Sequence, residues 1–152
     1  MIDRDVNKSI MRHFARQSVF LAGIYLLSLN VSSAPTGGTV VGGAGNINHS
    51  GLNTTINQNT QNLAVNWQSF DVNTNERVQF IQPNTSSIAL NRILSNNGSV
   101  IQGQIDANGQ VILVNPHGVF FSSTATVNVG GLIASTLDMT PSDFMNGNYI
   151  FL

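Results

Sequence analysis

From Thr36 onward the chain alternates short runs of Val, Ile, Leu, Thr and Phe with turns built from Asn and Gly, and no convincing amphipathic helix is evident. This alternation limits the fold more than any other feature. Short β-branched and aromatic runs bounded by turn formers read as strands. The candidates are Thr54–Asn57, Leu63–Trp67, Arg77–Ile81, Ser87–Asn91, Ser99–Ile105, Gln110–Val114, Val119–Phe121, Ala125–Val129 and Leu132–Ser135. Some alternate with period two, as Val127 and Val129 do against Thr126 and Asn128. Others are continuous, as in Val111-Ile112-Leu113-Val114, the pattern of a strand covered on both faces.

The punctuation keeps a rhythm. Gly98, Gly109, Gly118 and Gly131 each introduce an apolar run, and alternate glycines lie 20 and 22 residues apart. That distance suits one coil of a parallel β-solenoid built from several short strands. A β-sandwich also turns every 8–12 residues, so spacing alone leaves both open. The side chains favour the solenoid. The outer positions are Asn, Thr and Ser rather than charges, and such residues form ladders when equivalent positions stack.

Charge is scarce and unevenly placed. Charged residues make up 9% of the 152 residues, against about 25% in an average soluble domain. Four of the six basic residues, Arg4, Lys8, Arg12 and Arg16, precede an eleven-residue apolar run, Val19–Leu29. The run is shorter than the ~20 residues that span a bilayer, and the small residues Val31-Ser32-Ser33-Ala34 follow it. This is the layout of a secretory signal peptide, which addresses the chain to the general secretory translocon. We assign residues 1–33 to the leader, with cleavage after Ser33. A start at Met11 would give a cleaner leader. From Pro35 onward only Arg77 and Arg92 stand against five acids, a net charge of −3. That balance argues against nucleic acid as a partner. The absence of cysteine excludes disulfides and thiolate chemistry.

The ordered motifs carry more than a pattern. Thr54-Thr-Ile is followed by Asn66-Trp-Gln-Ser-Phe-Asp-Val72, Glu76-Arg-Val-Gln-Phe80 and Asn91-Arg-Ile93. Gly103-Gln-Ile-Asp-Ala-Asn-Gly-Gln-Val111, Asn115-Pro-His-Gly118 and Gly131-Leu-Ile-Ala-Ser-Thr-Leu-Asp138 complete the set. In this order and spacing, residues 34–152 resemble the N-terminal two-partner secretion domain of filamentous haemagglutinin-type exoproteins, also called the haemagglutination activity domain. The high-molecular-weight adhesin type of Gram-negative bacteria is the nearest flavour. The resemblance implies an all-β fold, a right-handed parallel β-helix (β-solenoid) with N-terminal capping strands. It implies passage through the periplasm and recognition there by the POTRA domains of an outer-membrane transporter, with the exported product extracellular or held at the cell surface. It also implies that the domain templates folding of a larger passenger and is not an enzyme.

Two motif positions depart from the family. Its turn motif is usually Asn-Pro-Asn-Gly; here Asn115, Pro116, His117 and Gly118 place histidine third. Its Asn-Pro-Asn-Leu motif is absent, and Asn91, Arg92, Ile93 and Leu94 are its nearest counterpart. The end of the chain, Asn148–Leu152, reads as an apolar, strand-like segment with no closing turn. The solenoid is therefore expected to be C-terminally incomplete, as in a fragment or a truncated gene.

The residues offer little to catalysis or cofactor binding. His49 and His117 lack a metal-ligand spacing, and no Gly-x-Ser-x-Gly occurs. Asp71, Glu76, Asp106, Asp138 and Asp143 sit in turn-like or capping contexts. No catalytic, metal or cofactor residues are assigned. Direct binding of a host surface ligand, glycan or matrix, is the second reading, and a β-helical carbohydrate-active enzyme is the third. Trp67, Phe70, Phe80, Val111, Leu113 and Phe120 are the expected core. Gly42-Gly-Ala-Gly-Asn46 reads as a flexible lead-in. Asn115–Gly118 fits a type I turn: Asn accepts a local backbone bond, Pro presets φ at the second place, and Gly is favoured at the fourth.

Overall fold

The computed structural model describes residues 33–152. The expected leader, apart from Ser33, lies outside the described residues. The remainder winds into a parallel β-solenoid of about four turns. Twelve strands are present among the described residues: β1 (Thr39–Gly42), β2 (Gly45–Ser50), β3 (Asn53–Gln58), β4 (Asn62–Trp67), β5 (Arg77–Ile81), β6 (Ile88–Ile93), β7 (Ser99–Ile101), β8 (Gln104–Ala107), β9 (Gln110–Val114), β10 (Val119–Phe121), β11 (Thr126–Asn128) and β12 (Gly131–Ser135). They form three walls. One sheet has the order β1-β4-β6-β9-β12, a second pairs β10 with β7, and a third runs β11-β8-β5-β3-β2.

The coil length agrees with the glycine rhythm where that rhythm is visible. Ser99 pairs with Val119, Gln110 with Gly131 and Gln104 with Thr126, which are separations of 20, 21 and 22 residues. The earlier coils are longer, as Asn62 pairs with Ile88 and Arg77 with Gln104.

Strand alternation builds the interior. In β5, Val78 and Phe80 turn inward while Arg77 and Gln79 face out. Stacking aligns Leu63, Ala89 and Val111 in one inner column, and Ile56, Phe80 and Ala107 in another. Trp67, Phe70, Phe80, Val111 and Leu113 are all buried in the main core. Phe120, expected beside them, instead faces solvent at 63% exposure. The three-residue strand β10 gives its two inward positions to Val119 and Phe121, which pack against the core. The middle residue is then directed outward.

The Gly-rich stretch expected to be a flexible lead-in is ordered structure. β1 lies antiparallel on β4, and β2 lies antiparallel on β3. Between them Gly43 adopts φ +78°, and a Cβ there would meet Asn62 O at 2.3 Å. A bulkier residue could not turn this close to the first coil. These two strands cap the solenoid. Ser99–Ile105 also resolves into two strands, β7 and β8, on different walls.

The C-terminal segment differs from expectation as well. A five-residue helix, α1 (Pro141–Met145), starts at Thr140, whose side chain accepts a bond from Asp143 N. Phe144 and Met139 cover the outer face of the first sheet, burying Ala64, Leu90, Ile112 and Val114 beneath them. This explains the continuous apolar run of β9, which packs against the core on one face and this cover on the other. Asn148–Leu152 forms no strand. Phe151 packs into the cover, and Leu152 exchanges two backbone bonds with Asp138, both 2.9 Å.

Candidate functional site

The two motif segments meet at one corner of the solenoid. Asn91 to Leu94 spans the end of β6 and its exit. Asn91 points inward and is fully buried between Val65 and Leu113 of the neighbouring strands. A buried amide needs partners, and it has them. Its Oδ1 accepts the Trp67 indole N–H at 2.9 Å, and its Nδ2 donates to Ala89 O and Ile112 O, both at 3.3 Å. Arg92 points the other way. Its Nε and Nη2 donate to the two carboxylate oxygens of Asp138 at 2.9 and 2.6 Å, and Nη1 reaches Asn66 Oδ1 at 3.2 Å. Ile93 is buried, whereas Leu94 is 59% exposed.

Asn115 to Gly118 forms the corner one coil further on. Gly118 N donates to Asn115 O at 2.9 Å, which closes the four-residue turn. Asn115 Oδ1 accepts His117 N at 2.9 Å. The rest of the amide reaches back to the previous coil, with Nδ2 donating to Asn97 O at 3.1 Å and Ser99 Oγ at 3.0 Å. Asn115 is therefore both the turn residue and the stitch between successive coils, and it is fully buried. Pro116 and His117 are exposed at the tip, and Gly118 takes φ +98°.

Between the two segments lies a groove of about 220 Å³, lined among others by Arg92, Leu94, Pro116, His117 and Asp138. Beside it Phe120 stacks in register on Val100, and Val100 is 41% exposed. The corner thus presents Leu94 in one groove and Val100 with Phe120 in the next, and His117 lines both.

The ion pair also fixes the cover over the first sheet. The Asp138 carboxyl lies below its ordinary value of 3.8. Hydrogen bonding to Arg92 is the main cause. Partial burial opposes it, while the Arg92 charge and the Met139 N–H add to the lowering. A carboxyl with a depressed folded pKa contributes stability above the unfolded pKa, and this is lost as pH falls through the folded value. The Asp138 anchor should therefore weaken below about pH 4. In Asp138→Asn that contribution is gone at every pH. The fall in melting temperature between about pH 7 and about pH 3 should be smaller than in the parent. An equal fall would mean that the pair does not hold the segment.

The other acids are dispersed. Asp71 Oδ1 accepts Val100 N, Asp106 pairs with Arg77, and Asp143 sits at the start of α1. Among the described residues no group of three or more His, Cys, Asp or Glu could hold a metal ion. His49 Nδ1 lies 3.0 Å from Thr54 Oγ1. Sequence reasoning missed the part Asp138 plays at this corner. The only local signal was the Thr140-Pro141 helix start just after it.

The sequence model of the TPS secretion domain matches residues 31–152. A heme/hemopexin-binding protein of Haemophilus influenzae is 44% identical over 115 residues, covering 75% of this chain and 13% of the relative. A second protein of that name is 40% identical over 97 residues, covering 64% of this chain and 10% of the relative. The chain thus matches only a small part of these relatives' length. The crystal structure of the HMW1 secretion domain from Haemophilus influenzae superposes with a TM-score of 0.73 at 36% identity, covering 78% of this chain and 32% of that one. The capped solenoid and the ordered motifs have the same explanation: this chain belongs to the TPS secretion domain family.

Proposed function

We propose that residues 34–152 are the export signal of a large exoprotein. The leader over residues 1–33 directs the chain through the general secretory translocon. A POTRA-bearing outer-membrane transporter then recognises the domain in the periplasm, and the solenoid templates the passenger that follows. The domain performs no catalysis itself. The observation that carries the recognition step is the corner where the two motif segments share one groove beside Leu94, Val100 and Phe120. Exposed apolar side chains grouped on one surface mark interaction sites, and aromatic residues such as Phe120 are enriched at interfaces.

The test has two parts. Deleting the partner transporter should retain the chain in the periplasm, and secretion without any such partner would defeat the proposal. Replacing Leu94 and Phe120 together by serine should leave folding within about 0.5 kcal/mol per site, as expected of surface positions. Transporter affinity should drop about tenfold or more, since an interface anchor contributes over 1–2 kcal/mol. Unchanged binding would move the recognition surface elsewhere. His117→Asn serves as the control, because the third place of the turn tolerates most residues. It should be nearly neutral for both fold and secretion.

A further inference from the structure

A buried carboxylate holds the chain just ahead of the cap. Glu76 closes the turn Asn73–Glu76: its backbone N–H donates to Asn73 O, and its Oε2 accepts Asn73 N, both at 2.8 Å. The residue is 3% exposed. Its Oε1 accepts the backbone N–H of Ser33 at 3.0 Å, from 43 residues away. The segment after Ser33 is fixed too. Pro35 is buried, Thr36 N donates to Ser69 O at 2.9 Å, and Gln68 N donates to Thr36 O at 2.9 Å. On the far side the next coil presses close, and a Cβ on Gly103 would lie 2.3 Å from Glu76 O.

We propose that the Glu76 carboxylate is the receptor for the α-ammonium created when the leader is cut just before Ser33, one bond earlier than the cut after Ser33 assigned above. The inference rests on the leader reading given above. Hydrolysis breaks one peptide C–N bond. Water supplies hydroxyl to the leader's new carboxyl and a proton to the released nitrogen, and that carboxyl's own proton then leaves the product amine as an ammonium. In a chain beginning at Ser33 the ammonium replaces the N–H already 3.0 Å from Oε1. A chain beginning at Ala34 has lost this donor. A hydrogen bond charged only at its acceptor becomes one charged on both sides, an ion pair as well as a hydrogen bond. Leader removal therefore tightens the strand that caps the solenoid, and processing and cap folding are coupled. Two other charged side chains nearby are committed elsewhere: Arg77 to Asp106, and Asp71 to Val100 N.

The chemistry makes this directly measurable. Within these 152 residues the sole lysine is Lys8, so the α-amine is the one primary amine of the processed 120-residue stretch, counting from Ser33 to Leu152. The processed chain is recovered from the periplasm, its first residue is read by N-terminal sequencing, and the amine is acylated across a pH series. The expected first residue is Ser33. The midpoint of the native titration should lie about one unit above the ordinary 7.7–8.0 of an α-amine. It should return to the ordinary range in Glu76→Gln, and also in the parent protein unfolded in urea, which keeps the comparison usable if the variant fails to fold. A native midpoint equal to the unfolded one in a chain that begins at Ser33, or a chain that begins at Ala34, would overturn the inference and leave the leader reading intact. A retained leader, or a first residue elsewhere, would overturn both.

Discussion

Trp67→Ala should lower the unfolding free energy by about 3–5 kcal/mol, the range for truncating a large buried aromatic. The ring is fully buried and meets Phe70 edge-on at 5.4 Å. The backbone just ahead of capping strand β1 also presses on the ring, since a Cβ on Gly38 would lie 2.5 Å from it. Truncation therefore opens a cavity at the junction of the cap and the first coil. It also strips the Asn91 amide of its indole donor, and an orphaned buried acceptor costs about 1–3 kcal/mol. Trp67→Phe separates the two effects, because it retains most of the packing and loses the hydrogen bond. Urea denaturation with a comparison of slopes is the measurement. A loss below about 1 kcal/mol for Trp67→Ala would show that the cap does not rest on the ring.

The second large effect is expected at Asn115. Replacing it by alanine removes the bonds to Asn97 O, Ser99 Oγ and His117 N. Each contributes about 0.5–1.5 kcal/mol, and the buried partners left behind add to the loss. The expected cost is about 2–4 kcal/mol. Pro116→Ala, one residue away on the exposed tip, should cost only about 0.4–1 kcal/mol through the unfolded chain. Equal losses at the two positions would mean that the turn alone matters and the stitch to the previous coil does not. Chemical denaturation of the two variants side by side distinguishes these cases.

The later coils were legible because their turns are tight. Gly98, Gly109, Gly118 and Gly131 mark a near-constant period, and the strands that follow them stack in that register. The earlier coils carry longer connections, such as Gln82–Ser87 ahead of β6, and their repeat is hidden. Within the site, the turn chemistry of Asn115–Gly118 was readable from local preferences, but its bond to Ser99 was not, because nothing local shows which side chain lies one coil away. Asn91 gave no clue that it is interior, since the chain uses Asn on both the inside and the outside. Phe120 misled for the opposite reason. Hydrophobicity pointed inward, but parity in a three-residue strand decided the matter. Capping strands were expected, but their place in the Gly-rich stretch was missed, because glycine permits both flexibility and close approach, and only contact with β3 and β4 selects the second. α1 is too short for helical periodicity, and only Thr140-Pro141 marks its start.

The antiparallel cap has a kinetic consequence. A stack of coils behaves as a one-dimensional chain in which each unit gains from its neighbours. β1 and β2 reverse direction over β4 and β3, so they supply one end of that chain with a fixed boundary. The coil beneath them has an ordered neighbour on each side, and its amide hydrogens should exchange slowly, with opening free energies near the global value. Order can then spread by adding one coil at a time away from a single starting wall, instead of nucleating at several places and meeting out of register.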